Sequence, residues 1–210
     1  MAERIKRGKT LQNIVDTKIP VFEFDGEWEE AFGQPQTTGI WYVYGDSGNG
    51  KTSFILLLIK KLAEYGKVLF VSYEEGDESA SLKEGIVRFG LLSADSKVLV
   101  VTDTLEDLKT RLLRRRSANI VIIDSLEESE FRNYKQLRKF TNEFPDKLFV
   151  FIGQAPRNKP AGQLGENVLF GARQKIQIEG FRAISRGRSF GKVGYLTIWD
   201  EKARMYWDYK

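Results

Sequence analysis

The feature that most constrains the fold of this chain is a glycine-rich stretch, Gly45–Thr52, that lies between an apolar run and a run with helical spacing. Its sequence, GDSGNGKT, satisfies the pattern G-x-x-x-x-G-K-[ST] at every fixed position. The preceding run, Ile40–Tyr44, is aromatic and β-branched and predicts a buried strand, whereas Thr52–Tyr65 predicts a helix that stops at Gly66. Because the pattern is specific only between a strand and a helix, this setting indicates a phosphate-binding loop.

The residue types of this loop suit phosphate chemistry. Glycines let successive backbone N–H groups turn toward phosphate oxygens, and the N-terminal end of the following helix adds positive potential. We expect Lys51 to reach the β- and γ-phosphates of a nucleotide and the Thr52 hydroxyl to ligate Mg²⁺. The predicted nucleotide site consists of Gly45, Asp46, Ser47, Gly48, Asn49, Gly50, Lys51 and Thr52.

Composition narrows the possible chemistry further. The 210 residues include no cysteine and no histidine, which excludes thiolate and imidazole metal sites and Ser-His-Asp catalysis. Carboxylates, lysine, arginine, hydroxyls, backbone N–H groups and a hard ion such as Mg²⁺ remain, and this set suits phosphoryl transfer. Lysine and arginine number 33 against 29 acidic residues, and the formal net charge of +4 permits an anionic partner without requiring one.

From Gly39 onward, β-rich runs alternate with helical runs, which favours a mainly parallel sheet with helices on both faces. After the first strand and helix, strands are predicted at Lys67–Ser72, Lys97–Thr102, Asn119–Asp124 and Lys147–Gly153, and helices at Ser79–Phe89, Leu105–Arg115 and near Phe131–Phe144. Four short runs then predict an antiparallel β extension, at Lys175–Glu179, Arg182–Ser185, Gly194–Trp199 and Ala203–Trp207.

The first 38 residues fit no unit of this alternation. We expect residues 1–38 to form an N-terminal segment that packs on the outside of the core or serves self-assembly, and residues 39–210 to form one domain. The basic start, Met1–Lys9, is not followed by an apolar core as in a secretory signal, and the longest apolar run, Phe54–Ile59, is too short to span a bilayer. We therefore expect a soluble cytoplasmic protein with no membrane partner.

A second metal signal is the apolar strand Ile120–Asp124, which ends in a carboxylate. An aspartate that emerges beside a phosphate loop can hold Mg²⁺ through a water molecule. Buried strands also end in aspartate for turn reasons. Downstream of a phosphate loop, the pattern favours Asp124 as a metal residue.

The segment Val68–Glu75 is similar to the RecA-type ATPases, particularly the RadA, KaiC and DnaB-helicase branch, in which the strand after the phosphate-loop helix ends in Ser-x-Glu. The resemblance implies that Glu74, rather than its neighbour Glu75, polarises the attacking water. A solvated acidic turn over Glu74–Glu78 is the alternative. The resemblance also implies that Arg88, two residues before Gly90, lies against the adenine of ATP.

Two more roles follow from the resemblance. Gln154, at the end of the fifth predicted strand, would sense the γ-phosphate, although an ordinary strand-end amide is an alternative. Arg186 and Arg188, in the segment Ser185–Gly191, match arginines that RecA-type hexamers and filaments insert into a neighbour's ATP site, where they would neutralise transition-state charge. Solvated arginines on a hairpin are the alternative.

In this family, two loops contact single-stranded nucleic acid. They correspond here to the stretch after Asp124 and to Ala155–Asn167, which contains Arg157 and Lys159 and is predicted to be a flexible basic loop suited to phosphate contact.

The resemblance, which covers roughly Gly39–Trp207, implies a RecA-like α/β domain that binds ATP with Mg²⁺ and hydrolyses it. It further implies self-assembly into a hexameric ring or filament and action on single-stranded DNA in recombination, annealing or repair. The chain looks most like the core-only RadA-type ATPases of phages and mobile elements, in which case the host cytoplasm is its expected location. Open alternatives are a ring-helicase or helicase-loading ATPase, a KaiC-like regulatory ATPase that does not bind DNA, and a small-molecule kinase, which the lack of an Arg-rich lid insert disfavours.

Overall fold

The computed structural model describes residues 8–73 and 79–208. Eight strands in these residues form one sheet, in the order β3-β2-β4-β5-β1-β6-β7-β8. The strands are β1 (Gly39–Gly45), β2 (Val68–Ser72), β3 (Val98–Val101), β4 (Ile120–Asp124), β5 (Leu148–Gln154), β6 (Gln174–Glu179), β7 (Arg182–Ser185) and β8 (Tyr195–Thr197).

Strands β1 to β6 pair in parallel, and β7 and β8 extend the sheet antiparallel. The α/β fold predicted from the sequence is therefore confirmed, with one correction. Lys175–Glu179, predicted to belong to the antiparallel extension, lies in β6, which pairs in parallel with β1. Since parallel strands end at the same edge of a sheet, the carboxyl ends of β1, β2, β4 and β5 meet there, with Ser72 opposite Asp124 and Gly45 opposite Gln154.

Helices cover the sheet and fill its connections. They are α1 (Leu11–Val15), α2 (Gly26–Phe32), α3 (Lys51–Ala63), α4 (Ala80–Arg88), α5 (Leu105–Leu113), α6 (Tyr134–Asn142), α7 (Gly162–Gly171) and α8 (Asp200–Trp207), with 3₁₀ turns at Leu91–Lys97 and Pro156–Asn158. Ser79, Thr104 and Asn133 cap α4, α5 and α6 by accepting backbone N–H groups, which explains where those helices begin. Within the described residues, no helix has the length and hydropathy needed to cross a bilayer.

Two apolar clusters, one on each face of the sheet, form the core. Trp41 and Val43 of β1 face the cluster that includes Phe54 of α3, whereas Tyr42 and Tyr44 face the opposite cluster. The central strands are buried on both faces, which is why they are nearly continuous apolar runs.

The N-terminal segment contributes to the core on the α3 face. Phe22 and Phe24 are 2% and 3% exposed and belong to the same cluster as Phe54. The Phe22 N–H donates to the Pro35 carbonyl at 2.8 Å, which folds the segment back on itself. By contrast, α1 has no buried residue. The expected boundary at residue 38 stays a prediction.

The prediction of a strand at Ala203–Trp207 is wrong, because these residues lie in α8. Ala203 is 1% exposed, and the Trp207 Nε1–H donates to the Gly180 carbonyl at 3.0 Å, so both side chains face the turn between β6 and β7. Tyr206 faces the same turn, since its hydroxyl donates to Glu179 Oε1 at 3.2 Å. The spacing i, i+3 and i+4 of Ala203, Tyr206 and Trp207 places all three on one face of a helix, whereas a strand would direct Tyr206 to the opposite face from the other two.

The prediction of a loop throughout Ala155–Asn167 is also wrong in its second half, since α7 begins at Gly162. Leu164 and Val168, four residues apart, pack into the apolar cluster that contains Tyr42. What remains as a connection is residues 155–161, which we call the β5–α7 loop.

Candidate functional site

The glycine-rich stretch connects β1 to α3, as the sequence predicted. Gly48 and Gly50 have φ angles of +77° and +93°, in the left-handed region that glycine adopts without strain. A Cβ atom on Gly45 would lie 2.4 Å from the Ile178 carbonyl oxygen, so only glycine lets β1 end this close to β6. The glycine-rich stretch therefore leads directly into the N-terminus of α3. Backbone N–H groups in such an arrangement bind anions.

Hydrogen bonds hold this phosphate loop from two sides. Asn49 accepts the Gly180 N–H on its side-chain oxygen at 2.8 Å and the Phe181 N–H on its carbonyl at 3.2 Å, which fastens it to the β6–β7 turn. The Asp46 carboxylate accepts the Arg157 N–H at 3.2 Å, which fastens it to the β5–α7 loop. These two polar side chains of the sequence-predicted site are therefore structural anchors of the loop in this structure.

The loop borders a cavity of about 400 Å³, which we call the phosphate cavity. Lys51 projects from the first turn of α3, and its Nζ donates to the Gly45 carbonyl at 3.3 Å. The cavity is lined by Ser47, Gly48, Gly50, Lys51, Thr52, Ser53, Ile55, Asp124, Phe181, Trp199 and Lys202. A volume of this size is in the range of small-molecule sites, and Lys51 and Lys202 give it positive charge.

Thr52 and Asp124 bring a hydroxyl and a carboxylate to the same cavity, although they come from α3 and β4. Mg²⁺ prefers oxygen ligands and typically binds through one or two protein groups together with phosphate oxygens and water. These two residues therefore fit a magnesium ion that is bound along with a phosphate. Groups of three or more acidic side chains that could hold a metal do not occur among residues 8–73 and 79–208.

Arg88 lies at the end of α4, next to Trp199, which lines the phosphate cavity. Its guanidinium carbon is 5.2 Å from the centroid of the Trp199 ring, and Lys202 Nζ is 4.0 Å from the same centroid. Arg88 also lines an adjoining cavity of about 380 Å³ that shares Thr52 and Ser53 with the phosphate cavity. The role of Arg88 against adenine stays a prediction, and sequence reasoning did not identify Trp199, Lys202 and Phe181 as residues that line the phosphate cavity.

The candidate general base Glu74 lies outside the described residues. Tyr73, which precedes it, donates its N–H to the Asp124 carbonyl at 2.6 Å and its hydroxyl to the Asp103 carbonyl at 2.7 Å. Burial raises the pKa of Tyr73 to about 12, with smaller contributions from the charges of Glu130 and Asp103. Tyr73 is thus a neutral hydrogen-bond donor at neutral pH.

Gln154 ends β5 directly opposite Gly45 and is exposed. Its N–H donates to Glu127 Oε1 at 3.0 Å, and its carbonyl accepts the Ala161 N–H at 2.9 Å. Gln154 does not line the phosphate cavity, but it connects β5 to the β5–α7 loop. The loop carries the exposed side chains of Arg157 and Lys159.

Arg186 and Arg188 follow β7 and do not line the phosphate cavity of their own chain. Gln177, which holds the Arg186 side chain, pairs with Tyr44 of β1, whereas Arg188 lines a cavity at the amino-terminal end of β6. Arg186 Nε donates to Gln177 Oε1 at 3.0 Å, and the Arg188 N–H donates to the Arg173 carbonyl at 3.3 Å. The structure therefore does not bring these arginines together with Lys51.

No protein-family model and no curated protein sequence matches this chain. Among solved structures, it is similar to a KaiC-like protein from the hyperthermophilic archaeon Pyrococcus horikoshii OT3, with a TM-score of 0.59 and 19% identity over 84% of this chain and 99% of that one. It is also similar to the flagellar accessory protein FlaH of Methanocaldococcus jannaschii, with a TM-score of 0.59 and 13% identity over 85% of this chain and 98% of that one. At these identities the likeness shows the fold alone, and that fold is RecA-like, as the sequence resemblance implied.

Proposed function

We propose that this protein is a Mg²⁺-dependent ATPase that works as an assembly of its own copies on single-stranded DNA, in recombination, annealing or repair. The observation that carries the proposal is the phosphate cavity, where Lys51, Thr52 and Asp124 meet beside a loop that matches the phosphate-binding pattern at every fixed position. No other chemistry uses this combination of groups as well.

Each residue of the site has a role in this proposal. Backbone N–H groups of the loop and Lys51 bind the β- and γ-phosphates, while Thr52 and Asp124 hold Mg²⁺, which neutralises charge that develops on the phosphoryl group. Glu74 accepts the proton of the attacking water. Arg88 presents a planar cation beside the Trp199 ring, and together they suit a purine base.

The second part of the proposal is that copies of the chain complete one another's sites. Neither Arg186 nor Arg188 lines the phosphate cavity of its own chain, which supports a role for them in the site of a neighbouring copy. An arginine supplied in trans stabilises transition-state charge without adding to ground-state affinity.

The third part is the action on DNA, and it rests on the β5–α7 loop. This loop carries Arg157 and Lys159 at its surface and is bonded to the phosphate loop through Asp46 and to Gln154 through Ala161. A change at the γ-phosphate could thus move two cations that suit a DNA backbone. An ATPase that regulates protein contacts without DNA would share the phosphate cavity but would not depend on these cations.

ATP turnover, measured with and without a single-stranded oligonucleotide at two salt concentrations, tests the proposal. We expect single-stranded DNA to increase the rate of ATP turnover and Lys51→Ala to abolish turnover. Glu74→Gln should slow turnover about 10²-fold, because this variant still binds ATP but lacks the proton acceptor. Arg157→Gln should reduce the DNA stimulation, whereas the matched control Lys135→Gln, exposed on α6, should not.

Each contrary result identifies the part that fails. A folded Lys51→Ala protein with undiminished ATP affinity would contradict the phosphate-loop assignment. Turnover that no oligonucleotide changes would favour the regulatory alternative, and ATP-dependent strand displacement would favour a helicase. If Glu75→Gln is the slow variant and Glu74→Gln is not, the general base is one residue further along the chain.

A further inference from the structure

A second cavity, of about 680 Å³, lies at the sheet edge opposite the phosphate loop. It is bordered by the amino-terminal parts of β1 and β6, by α6, by the loop after β7 and by the N-terminal segment. Three arginines line it, Arg138, Arg173 and Arg188, and we call it the arginine cavity. Of the residues that line it, the proposed ATPase uses only Arg188, and only toward the site of a neighbouring copy.

The charge of the arginine cavity is unbalanced. No aspartate or glutamate of the described residues lines it, and none of its three guanidinium groups takes part in an ion pair within that part of the chain. Guanidinium groups that border one space repel each other until an anion enters. Their planar, forked donors match the oxygens of carboxylate and phosphate groups, and three cations around one space favour a ligand that carries several negative charges, such as a di- or triphosphate.

Two of the arginines are held in place by neighbouring backbone. Gly39 has φ +101°, and a Cβ atom there would lie 3.0 Å from Cδ and Nε of Arg173, so the Arg173 side chain lies directly against the Gly39 backbone. The Arg188 N–H donates to the Arg173 carbonyl at 3.3 Å, and the adjacent Ser189 hydroxyl donates to the Phe32 carbonyl at 3.0 Å. The cavity wall is thus built from several elements and does not depend on one surface loop.

Gln174 also lines the cavity. It is 1% exposed, and its Nε2 donates to the Ser185 hydroxyl at 3.0 Å. Its Oε1 is buried against Gly187, where a Cβ atom would lie 2.6 Å from it, so a molecule in the cavity does not reach this oxygen. Gln174 therefore belongs to the wall of the cavity and is not expected to contact a ligand.

We propose that the arginine cavity binds a phosphorylated small molecule. Its phosphates would lie at Arg138, Arg173 and Arg188. The volume far exceeds that of a single phosphate ion and is within the range of small-molecule sites. A single-stranded nucleic acid is less well matched, because its contacts follow a groove, whereas these arginines surround one cavity.

Calorimetric titration of the folded Lys51→Ala protein tests this inference. The substitution weakens nucleotide binding at the phosphate loop and leaves the arginine cavity intact. With ADP as the probe, we expect one bound molecule per chain. Adding Arg173→Gln should weaken ADP binding at least about tenfold, the scale of a lost charge-assisted hydrogen bond. Adding Lys135→Gln, a cation of α6 that does not line the cavity, should leave ADP affinity unchanged. Thermal melting and ADP binding at the phosphate loop of the otherwise wild-type chain verify that each variant folds.

Several results would overturn the inference: no ADP binding by Lys51→Ala, the same affinity after Arg173→Gln, or Arg173-dependent binding of a single-stranded oligonucleotide but not of ADP. Its failure is distinguishable from failure of the proposed ATPase. Two ADP molecules bound by Lys51→Ala, one of them dependent on Arg173, would contradict the phosphate-loop assignment and support the arginine cavity.

Discussion

At the scale of single residues, Tyr42 is a buried side chain whose hydroxyl lowers the stability of the fold. Its ring fills space left by a glycine, since a Cβ on Gly153 would lie 2.1 Å from the Tyr42 hydroxyl oxygen. That hydroxyl is buried and has no hydrogen-bond partner among the described residues. Burial, and to a lesser extent the charge of Glu127, raises its pKa well above the ordinary value of 10.0, so the hydroxyl is neutral at every pH at which the protein is used.

Tyr42→Phe should therefore raise the free energy of unfolding by about 1 kcal/mol, because it removes an unsatisfied hydroxyl and keeps the ring. Urea denaturation at neutral pH measures the change. Tyr44→Phe is the matched control, since Tyr44 stacks on Tyr42 and its hydroxyl is not among the buried unpaired groups. A lower unfolding free energy for Tyr42→Phe would mean that its hydroxyl has a partner, such as a bound water molecule.

At the scale of helices and strands, α8 shows why part of the site could not be predicted. The phosphate loop is a local pattern, so its residues and its strand–helix setting are readable from spacing alone. Trp199 and Lys202 line the phosphate cavity at the start of α8, which packs on the β6–β7 turn through Tyr206 and Trp207. The missed signal was the i, i+3, i+4 spacing of Ala203, Tyr206 and Trp207, which is typical of a helix face and not of a strand.

Another contact between elements ties the N-terminal segment to α3. Lys61 of α3 is buried, and its Nζ lies 2.7 Å from Asp25 Oδ1 and 2.8 Å from Glu64 Oε2. Burial opposes the charge on Lys61, but the hydrogen bonds to Asp25 and Glu64 outweigh it and raise the pKa of Lys61 above 10.5. The hydrogen bond from Lys61, followed by its charge, lowers the pKa of the exposed Asp25 below 3.8.

These shifts predict that the contact between Lys61 and Asp25 stabilises the fold only within a limited range of pH. Its contribution to stability should be fully present between the ordinary pKa values of 3.8 for Asp25 and 10.5 for Lys61. It should be lost as the pH falls through the lowered pKa of Asp25 or rises through the raised pKa of Lys61. Urea unfolding of Asp25→Asn and of the wild type should thus differ slightly at neutral pH and converge in acid.

Asp95→Asn is the control for this pH series, because Asp95 is exposed and forms no ion pair among the described residues. Its unfolding free energy should differ from that of the wild type by the same small amount at each pH. A gap between Asp25→Asn and the wild type that stays constant into acid would show that the contact with Lys61 does not stabilise the charge on Asp25.

At the scale of the whole molecule, the sheet separates two sets of functional candidates. The phosphate cavity lies at the carboxyl edge of the parallel strands, and Arg188 lines the arginine cavity at the opposite edge. The general arrangement was predictable, because alternating strands and helices place all the strand ends of one kind together. The arginine cavity was not, since Arg138, Arg173 and Arg188 come from separate elements with no shared local pattern.

If neighbouring copies complete each site, turnover per chain should rise with protein concentration. Arg186→Ala and Arg188→Ala should each lower the rate of ATP hydrolysis while ATP affinity changes little, because the lost interaction belongs to the transition state. Mixing either variant with Lys51→Ala should restore some activity, since an intact loop and an intact arginine can then meet at one interface. Turnover independent of concentration, with no restoration on mixing, would leave both arginines as solvated residues of a hairpin.

The two ends of the strand order have a consequence for handling this protein. The outermost strands, β3 and β8, span four and three residues, so each offers few backbone groups for pairing with another sheet. Concentrated solutions should therefore resist the edge-to-edge joining that leads to amyloid-like aggregates. Any polymer that does form should be held by side chains, dissolve when salt or nucleotide is changed, and leave the β-sheet content of each chain as it was.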